Sequence, residues 1–271
     1  MLRLLGLTGL YLCGWYMFWR FTDRRPAGNI LAFHDINDKL DLSITRNSVK
    51  GFSEIMEYLA ATGFRGTSLA DQATETDIAL TFDDGWSGIY ESAFPILRKH
   101  GFTATVFVIS DYVGKTSTWD YKRESHMTWS QIRELANNGI EIGSHGANHI
   151  DIRNLDNKSL EYEVSGSKET IENKLGKPVN CFSYPFGRYD NRAIEAVKKA
   201  GYEKAYALST DGGAYAIARR GVYLYDTPYS INRKLMKQSG LEQCKDYINN
   251  SLAGGTITLR KLFPKKAGGK A

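Results

Sequence analysis

Short, continuously apolar runs closed by a polar residue alternate along this chain with longer stretches whose apolar positions fall three and four apart. The first rhythm predicts strands buried on both faces. The second predicts amphipathic helices. GNILAFHDI (28–36) reads as a strand that ends in His34, and 48–64 as a helix with Ile55 and Leu59 on one face. DIALTF (77–82) is a strand that stops at Asp83; a helix over 92–102, capped by Gly101, leads into the apolar strand TATVFVI (103–109). A helix over 128–139, with Thr128 or Ser130 near its N-cap, precedes the strand IEIGS (140–144), which ends at His145. Then follow a helix over 159–176, the strand NCFSYP (180–185), a helix over 191–202, the strand KAYALS (204–209) and a last helix over 241–252.

Strands and helices alternate about seven times. That predicts a parallel sheet with helical crossovers, either a barrel or a doubly wound sheet. His34, Asp83, Asp84, His145, His149 and the YPFG segment all fall at C-terminal strand ends. In a barrel those ends meet at one rim, where active sites form. An enzyme is therefore the expectation.

Length and charge narrow the picture. The 271 residues suit one large α/β domain, with an ordinary 42% hydrophobic and 24% charged residues. Of the net charge of +5, residues 1–25 supply +3 and residues 256–271 supply +5, which leaves 26–255 at −3. A basic nucleic-acid groove in the body is thereby disfavoured, and no nucleic-acid partner is expected. The expected division is an N-terminal segment over 1–25, a catalytic domain over 26–255 and a basic tail over 256–271. Cys13, Cys181 and Cys244 show neither paired nor zinc-like spacing; Cys181 suits a buried thiol, and a Cys181–Cys244 disulfide has no support in the pattern.

Residues 4–19 form an uncharged run of sixteen, with Arg3 before it and Arg20, Arg24 and Arg25 after it. A spanning helix needs about 20 residues, so the run is slightly short. Trp15, Tyr16 and Trp19 suit a membrane interface, and no small-x-small cleavage site follows. An uncleaved signal anchor is expected, with the catalytic domain membrane-anchored and extracytoplasmic (periplasmic or at the cell surface). The flanking charges do not set its orientation.

Adjacent carboxylates at a strand end repel each other and lose hydration, so Asp83 and Asp84 call for a compensating charge. His145 and His149 share a face if their segment turns helically. Two imidazoles and one carboxylate make an open metal site with room for water. A divalent metal lowers the pKa of its water from about 15.7 towards about 7, and the second carboxylate can take the proton. The same cation keeps both aspartates ionised.

TFDDG (81–85) and SHGANH (144–149) resemble the first two motifs of the polysaccharide deacetylase (NodB-homology) family, carbohydrate esterase family four. The resemblance runs over roughly residues 28–255 in motif order. It implies a distorted (β/α)7 TIM-like barrel and a metal-dependent hydrolase that removes acetyl groups from sugars such as N-acetylglucosamine. Carried over, Asp83 is the base, and Asp84, His145 and His149 hold the metal, zinc first. SYPFG (183–187) resembles the third motif, with Ser183 where the family has the arginine that orients the base. The Phe186 N–H then belongs to the oxyanion hole, a donor of about 3 kcal/mol in the transition state. Arg188 is the nearest candidate for the missing arginine. Asp211 is a poor match to the fourth motif.

The family's general acid is a histidine on a late strand, yet this chain has no histidine after His149. ILAFHDI (30–36) resembles that motif at the start of the chain, as in the circularly permuted poly-N-acetylglucosamine deacetylases. His34 is therefore the expected acid. Trp86, Tyr184, Pro185 and Arg188 are expected along the substrate path, Trp86 and Tyr184 by stacking on sugar faces. His100, at a helix C-terminus, and His126, before a helix, look structural. The expected partner is an N-acetylated polysaccharide; the oligomeric state stays open. A catalytically weak glycan-binding domain and an O-acetyl or xylan esterase are the alternatives.

Overall fold

A computed structural model describes residues 29–39, 43–118, 124–208 and 213–235. The expected anchor (4–19), Asp211, the helix over 241–252, Cys244 and the basic tail lie outside the described residues. Among the described residues no helix is long and apolar enough to cross a membrane.

The main sheet is wholly parallel and barrel-like, with helices outside it. Its strands are β1 (Ile30–Phe33), β4 (Arg65–Thr67), β5 (Asp77–Phe82), β6 (Thr105–Val108), β7 (Glu141–Ser144), β8 (Cys181–Ser183), β9 (Lys204–Ala207), β10 (Ile217–Ala218) and β11 (Arg220–Gly221). The order is β10-β9-β8-β7-β6-β5-β1-β11, with β4 beside the first half of β5. Only Arg219 separates β10 from β11. The segment 217–221 thus pairs with β9 at its start and with β1 at its end, which joins the two edges. β1, first in the chain, sits between β5 and this closing segment. A small separate pair, β2 (Asp35–Ile36) and β3 (Arg46–Asn47), follows β1 at the same end.

The outer helices are α1 (Val49–Ala61), α2 (Phe94–Lys99), α3 (Trp129–Asn137), α4 (Asn157–Glu161), α5 (Ser167–Leu175), α6 (Asn191–Lys199) and α7 (Pro228–Leu235). Wider π-helical turns precede α2 (Ile89–Ala93) and join α4 to α5 (Tyr162–Gly166). α1 buries Phe52, Ile55, Met56 and Leu59 at helical spacing, and Ser48 caps it by accepting from the Gly51 N–H at 3.0 Å. α3 starts in a capping box between Thr128 and Gln131. β4, the closing segment and α7 were not legible in the sequence, being short or weakly periodic.

Side chains alternate between the two sides of the sheet. Leu31, Phe33, Ile78, Leu80, Phe82 and Phe182 belong to the large core beneath the helices. Ile30, Ala79, Phe107, Cys181, Tyr206 and Ile217 form a separate cluster, the barrel interior. A Cβ on Gly143 would lie 2.5 Å from Phe107 and 2.7 Å from Cys181, so the interior is filled there and only glycine fits. Cys181 is a buried free thiol. Continued past the strand ends, the inward parity of residues 30, 79, 143 and 217 falls on His34, Asp83, His145 and Arg219.

Candidate active site

Asp83 is the first residue beyond β5, and its N–H still donates to the Phe33 carbonyl at 3.0 Å. The pairing of Phe33 with Phe82 sets His34 opposite Asp83 at the rim. Arg219 reaches Asp83 from the closing segment. Nη1 donates to Oδ1 and Nη2 to Oδ2, both at 2.8 Å, in a bidentate pair. The same guanidinium donates to Thr81 Oγ1 at 3.0 Å and Ser183 Oγ at 2.7 Å, and stands 5.1 Å from the Phe107 ring centroid. Arg219 is only 1% exposed. Burial alone would push the Asp83 carboxyl up; the Arg219 charge, with His145, Arg219 hydrogen bonds and His34 behind it, holds it well below the usual carboxylate range.

Asp84 and Gly85 both take left-handed backbone angles, with φ of 69° and 68°. Aspartate tolerates that region better than most residues. At Gly85 a side chain would also crowd Val108, 3.3 Å from the Cβ position. The double turn directs the two carboxylates differently. Asp83 meets Arg219, while Asp84 Oδ1 meets His145 Nε2 at 3.5 Å and His149 Nε2 at 3.3 Å. Asp84 Oδ2 accepts from the Trp86 indole N–H at 3.0 Å. The His126 ring stacks on Trp86 at 4.3 Å, and its Nδ1 lies 2.9 Å from the Asp84 carbonyl. A carbonyl only accepts, so Nδ1 carries the proton. Burial pushes His126 down to about 4, which keeps it neutral.

His145 follows β7, and its Nδ1 lies 2.7 Å from the Ser183 carbonyl. By the same reasoning its proton is on Nδ1, which leaves the Nε2 lone pair facing Asp84. His149 ends a loop with φ of 54°, its ring edge-on to Phe186 at 4.3 Å. The segment between the histidines is a loop, not the helical turn considered from the sequence. Burial lowers the pKa of both imidazoles, most for His149. Neutral imidazole is the form that binds a metal. Donor atoms of Asp84, His145 and His149 all lie within 4.8 Å of one another. The donor set therefore fits a divalent cation. His34, half-buried, is near enough for its charge to act on both Asp83 and His149.

Other expected positions turn out differently. Trp86 is 4% exposed and Tyr184 1%, and the Tyr184 hydroxyl donates to the Tyr215 carbonyl at 2.9 Å. Neither ring offers a face to a sugar: Trp86 holds Asp84, and Tyr184 is core. Pro185 is buried beside it, while Phe186 is half-buried with φ of 60°. Arg188 pairs with Asp151 at 3.2 Å rather than with Asp83. Arg219 occupies the role proposed for Arg188. Its only sequence trace is the pair Arg219-Arg220 in an otherwise small-residue run. His126, read as structural, touches the aspartate turn; nothing in its sequence context marks it.

The comparisons agree with this geometry. A family model described as polysaccharide deacetylase matches residues 70–205, half of the chain. The putative polysaccharide deacetylase YxkH of Bacillus subtilis is 29% identical over 215 residues, covering 74% of this chain and 73% of its own length. The poly-beta-1,6-N-acetyl-D-glucosamine N-deacetylase of Escherichia coli (strain K12) is 24% identical over 66% of this chain, which spans only 34% of that relative. Among solved structures, the Streptococcus pyogenes deacetylase PplD, in complex with acetate, shares the fold with a TM-score of 0.69, at 20% identity over 79% of this chain and 100% of its own. With the family's aspartate pair and two-histidine loop brought together at one barrel rim, the chain belongs to the polysaccharide deacetylase family and is a hydrolase.

Proposed function

We propose that this hydrolase is metal-dependent and removes N-acetyl groups from an N-acetylglucosamine-type polysaccharide. The observation that carries the reading is the convergence of Asp84, His145 and His149 beside an arginine-anchored Asp83. Relatives in Escherichia coli and Staphylococcus aureus named as poly-beta-1,6-N-acetyl-D-glucosamine N-deacetylases support the substrate class. One carboxylate and two neutral imidazoles suit zinc in an open site. When bound there, the cation supplies Lewis acidity that brings the pKa of a water from about 15.7 towards about 7. Asp83, kept ionised and aimed by Arg219, would take a proton from the water that attacks the acetyl carbonyl. The Phe186 N–H serves the developing oxyanion. His34 gives its proton to the amine as the C–N bond breaks, releasing acetate.

The arginine absent from the third motif and the displaced histidine together favoured a catalytically weak, glycan-binding alternative. Arg219 supplies a guanidinium to Asp83, which removes the first of those motives; the His34→Ala variant addresses the second. The reading keeps the expected membrane anchor over 4–19, which the uncharged apolar run supports, and an extracytoplasmic catalytic domain, which suits a polysaccharide substrate. The test is acetate release from N-acetylglucosamine oligomers before and after chelation, with zinc added back. Release that survives complete metal removal would refute the mechanism. Faster release from O-acetylated xylan would replace the substrate.

A further inference from the structure

The loop between the two histidines is held from outside the site by a carboxylate that belongs to none of the family motifs read from the sequence. Glu163 lies in the π-helical turn Tyr162–Gly166 that joins α4 to α5. It is 1% exposed, on the face that also buries Leu160, Val164 and Ser167. An acidic side chain on that face needs partners, and the loop provides them. Glu163 Oε2 accepts from the backbone N–H groups of Ala147 and Asn148, both at 3.0 Å. Oε1 accepts from the Asn148 side-chain amide, also at 3.0 Å. A Cβ on Gly146 would lie 2.9 Å from Oε2, and Gly146 has φ of +81°. The loop therefore approaches the carboxylate as closely as a glycine backbone permits.

The other side of the loop is pinned as well. The N–H groups of Ser110 and Asp111 donate to the carbonyls of Gly146 and Ala147, each at 3.1 Å. The Tyr162 hydroxyl donates to Asp111 Oδ2 at 2.8 Å, which ties the π turn to that same segment. Ser167 donates to the Glu163 carbonyl at 2.7 Å and contacts Ser144, the residue before His145, at 2.8 Å. The 146–147 and 147–148 peptide units are thus each held at both their carbonyl and their N–H, and His149 leaves the loop in a left-handed conformation that an unheld chain would seldom adopt. π turns recur at functional sites because the extra residue redirects one side chain.

We infer that Glu163 is a positioning residue for the metal centre, setting the spacing of the His145 and His149 imidazoles through the 146–148 backbone. The inference rests on the metal-binding reading above. It requires reach rather than charge. Glu163→Gln keeps the length and one acceptor oxygen for the two N–H groups, and a flipped Asn148 amide can accept from its NH2. Glu163→Asp keeps the charge but withdraws the oxygens by one methylene.

The test is metal affinity, measured by competition with a chromophoric chelator well below the unfolding midpoint, with the visible spectrum of bound Co2+ as a second readout. Glu163→Ala and Glu163→Asp should bind zinc about 10–100-fold more weakly, the range seen when an outer partner of a ligand is lost, with an altered Co2+ spectrum. Glu163→Gln should stay near the parent. If Glu163→Ala does not fold, the Asp and Gln pair decides alone. Wild-type affinity in Glu163→Asp, or weaker binding by Glu163→Gln than by Glu163→Asp, would overturn the inference. A lowered melting temperature with unchanged affinity would reduce Glu163 to a structural role. His149→Ala is measured alongside: if it binds zinc as tightly as the parent, the metal reading itself fails and takes this inference with it.

Discussion

Replacing Arg219 by methionine tests the anchoring of Asp83, the proposed base. Methionine keeps an apolar stem over Phe107 and removes the guanidinium, so Asp83 loses both of its 2.8 Å donors inside the barrel. Removing one partner of a buried ion pair costs about 3–5 kcal/mol, because the other charge is left uncompensated. In a domain of this size 1 kcal/mol moves the melting temperature by about 2–4 °C. The expected loss is therefore about 6–20 °C at neutral pH.

The pH dependence fixes the cause. In the parent the folded value of Asp83 lies below its unfolded value of about 3.9, so its contribution is present above that pH and lost as pH falls through the folded value. In Arg219→Met burial is opposed only by His145 and His34 and raises the folded value, so that protein loses stability as pH rises. The difference in melting temperature should be largest at neutral pH and shrink towards acid. The acid limb of kcat/KM, which follows ionisation of the base, should move to higher pH. Scanning calorimetry and acetate-release profiles across pH measure both. An unmoved acid limb together with a pH-independent stability loss would refute the assignment of Arg219 to the base. Arg219→Lys restores a charge without the fork and should fall between the two proteins.

Three further outcomes follow from the same geometry. His34→Ala should slow acetate release from N-acetylated oligomers by about 10²–10⁴-fold while largely sparing an aryl acetate, whose leaving group needs no proton; an equal loss on both substrates would remove His34 as acid. Trp86→Phe deletes the donor to Asp84 Oδ2 and should weaken zinc binding by about tenfold or more in the chelator competition, with little change in KM. Lys234→Met breaks the buried 2.6 Å pair with Asp226 and the 2.7 Å bond to the Gly221 carbonyl that ties α7 to the closing segment, so it should cost about 3–5 kcal/mol in denaturant unfolding and leave activity at 20 °C unchanged.

The sequence by itself determined the alternation of strands and helices, the parallel sheet, and the residues that stand at strand ends. Those are local properties: hydrophobic period, turn residues and the parity of each strand. Their places at C-terminal strand ends already sent His34, Asp83 and His145 to one rim. The resemblance of ILAFHDI to the family's last motif made β1 the expected acid-bearing strand at the other end of the chain, and the sheet order places that strand beside β5. What only the tertiary structure decided was who meets whom. Arg219 lies 136 residues from Asp83, on a segment too short to show a period, and it reaches that carboxylate because 217–221 joins both edges of the sheet. Trp86 and Tyr184 sit next to motif residues in sequence, but adjacency does not set exposure, and both rings are spent on buried hydrogen bonds. Glu163 reads as one more helical acid until a π turn and a glycine loop bring it against the backbone between two histidines. Local pattern named the reactive groups; barrel closure and long-range packing chose the residues that hold them in place.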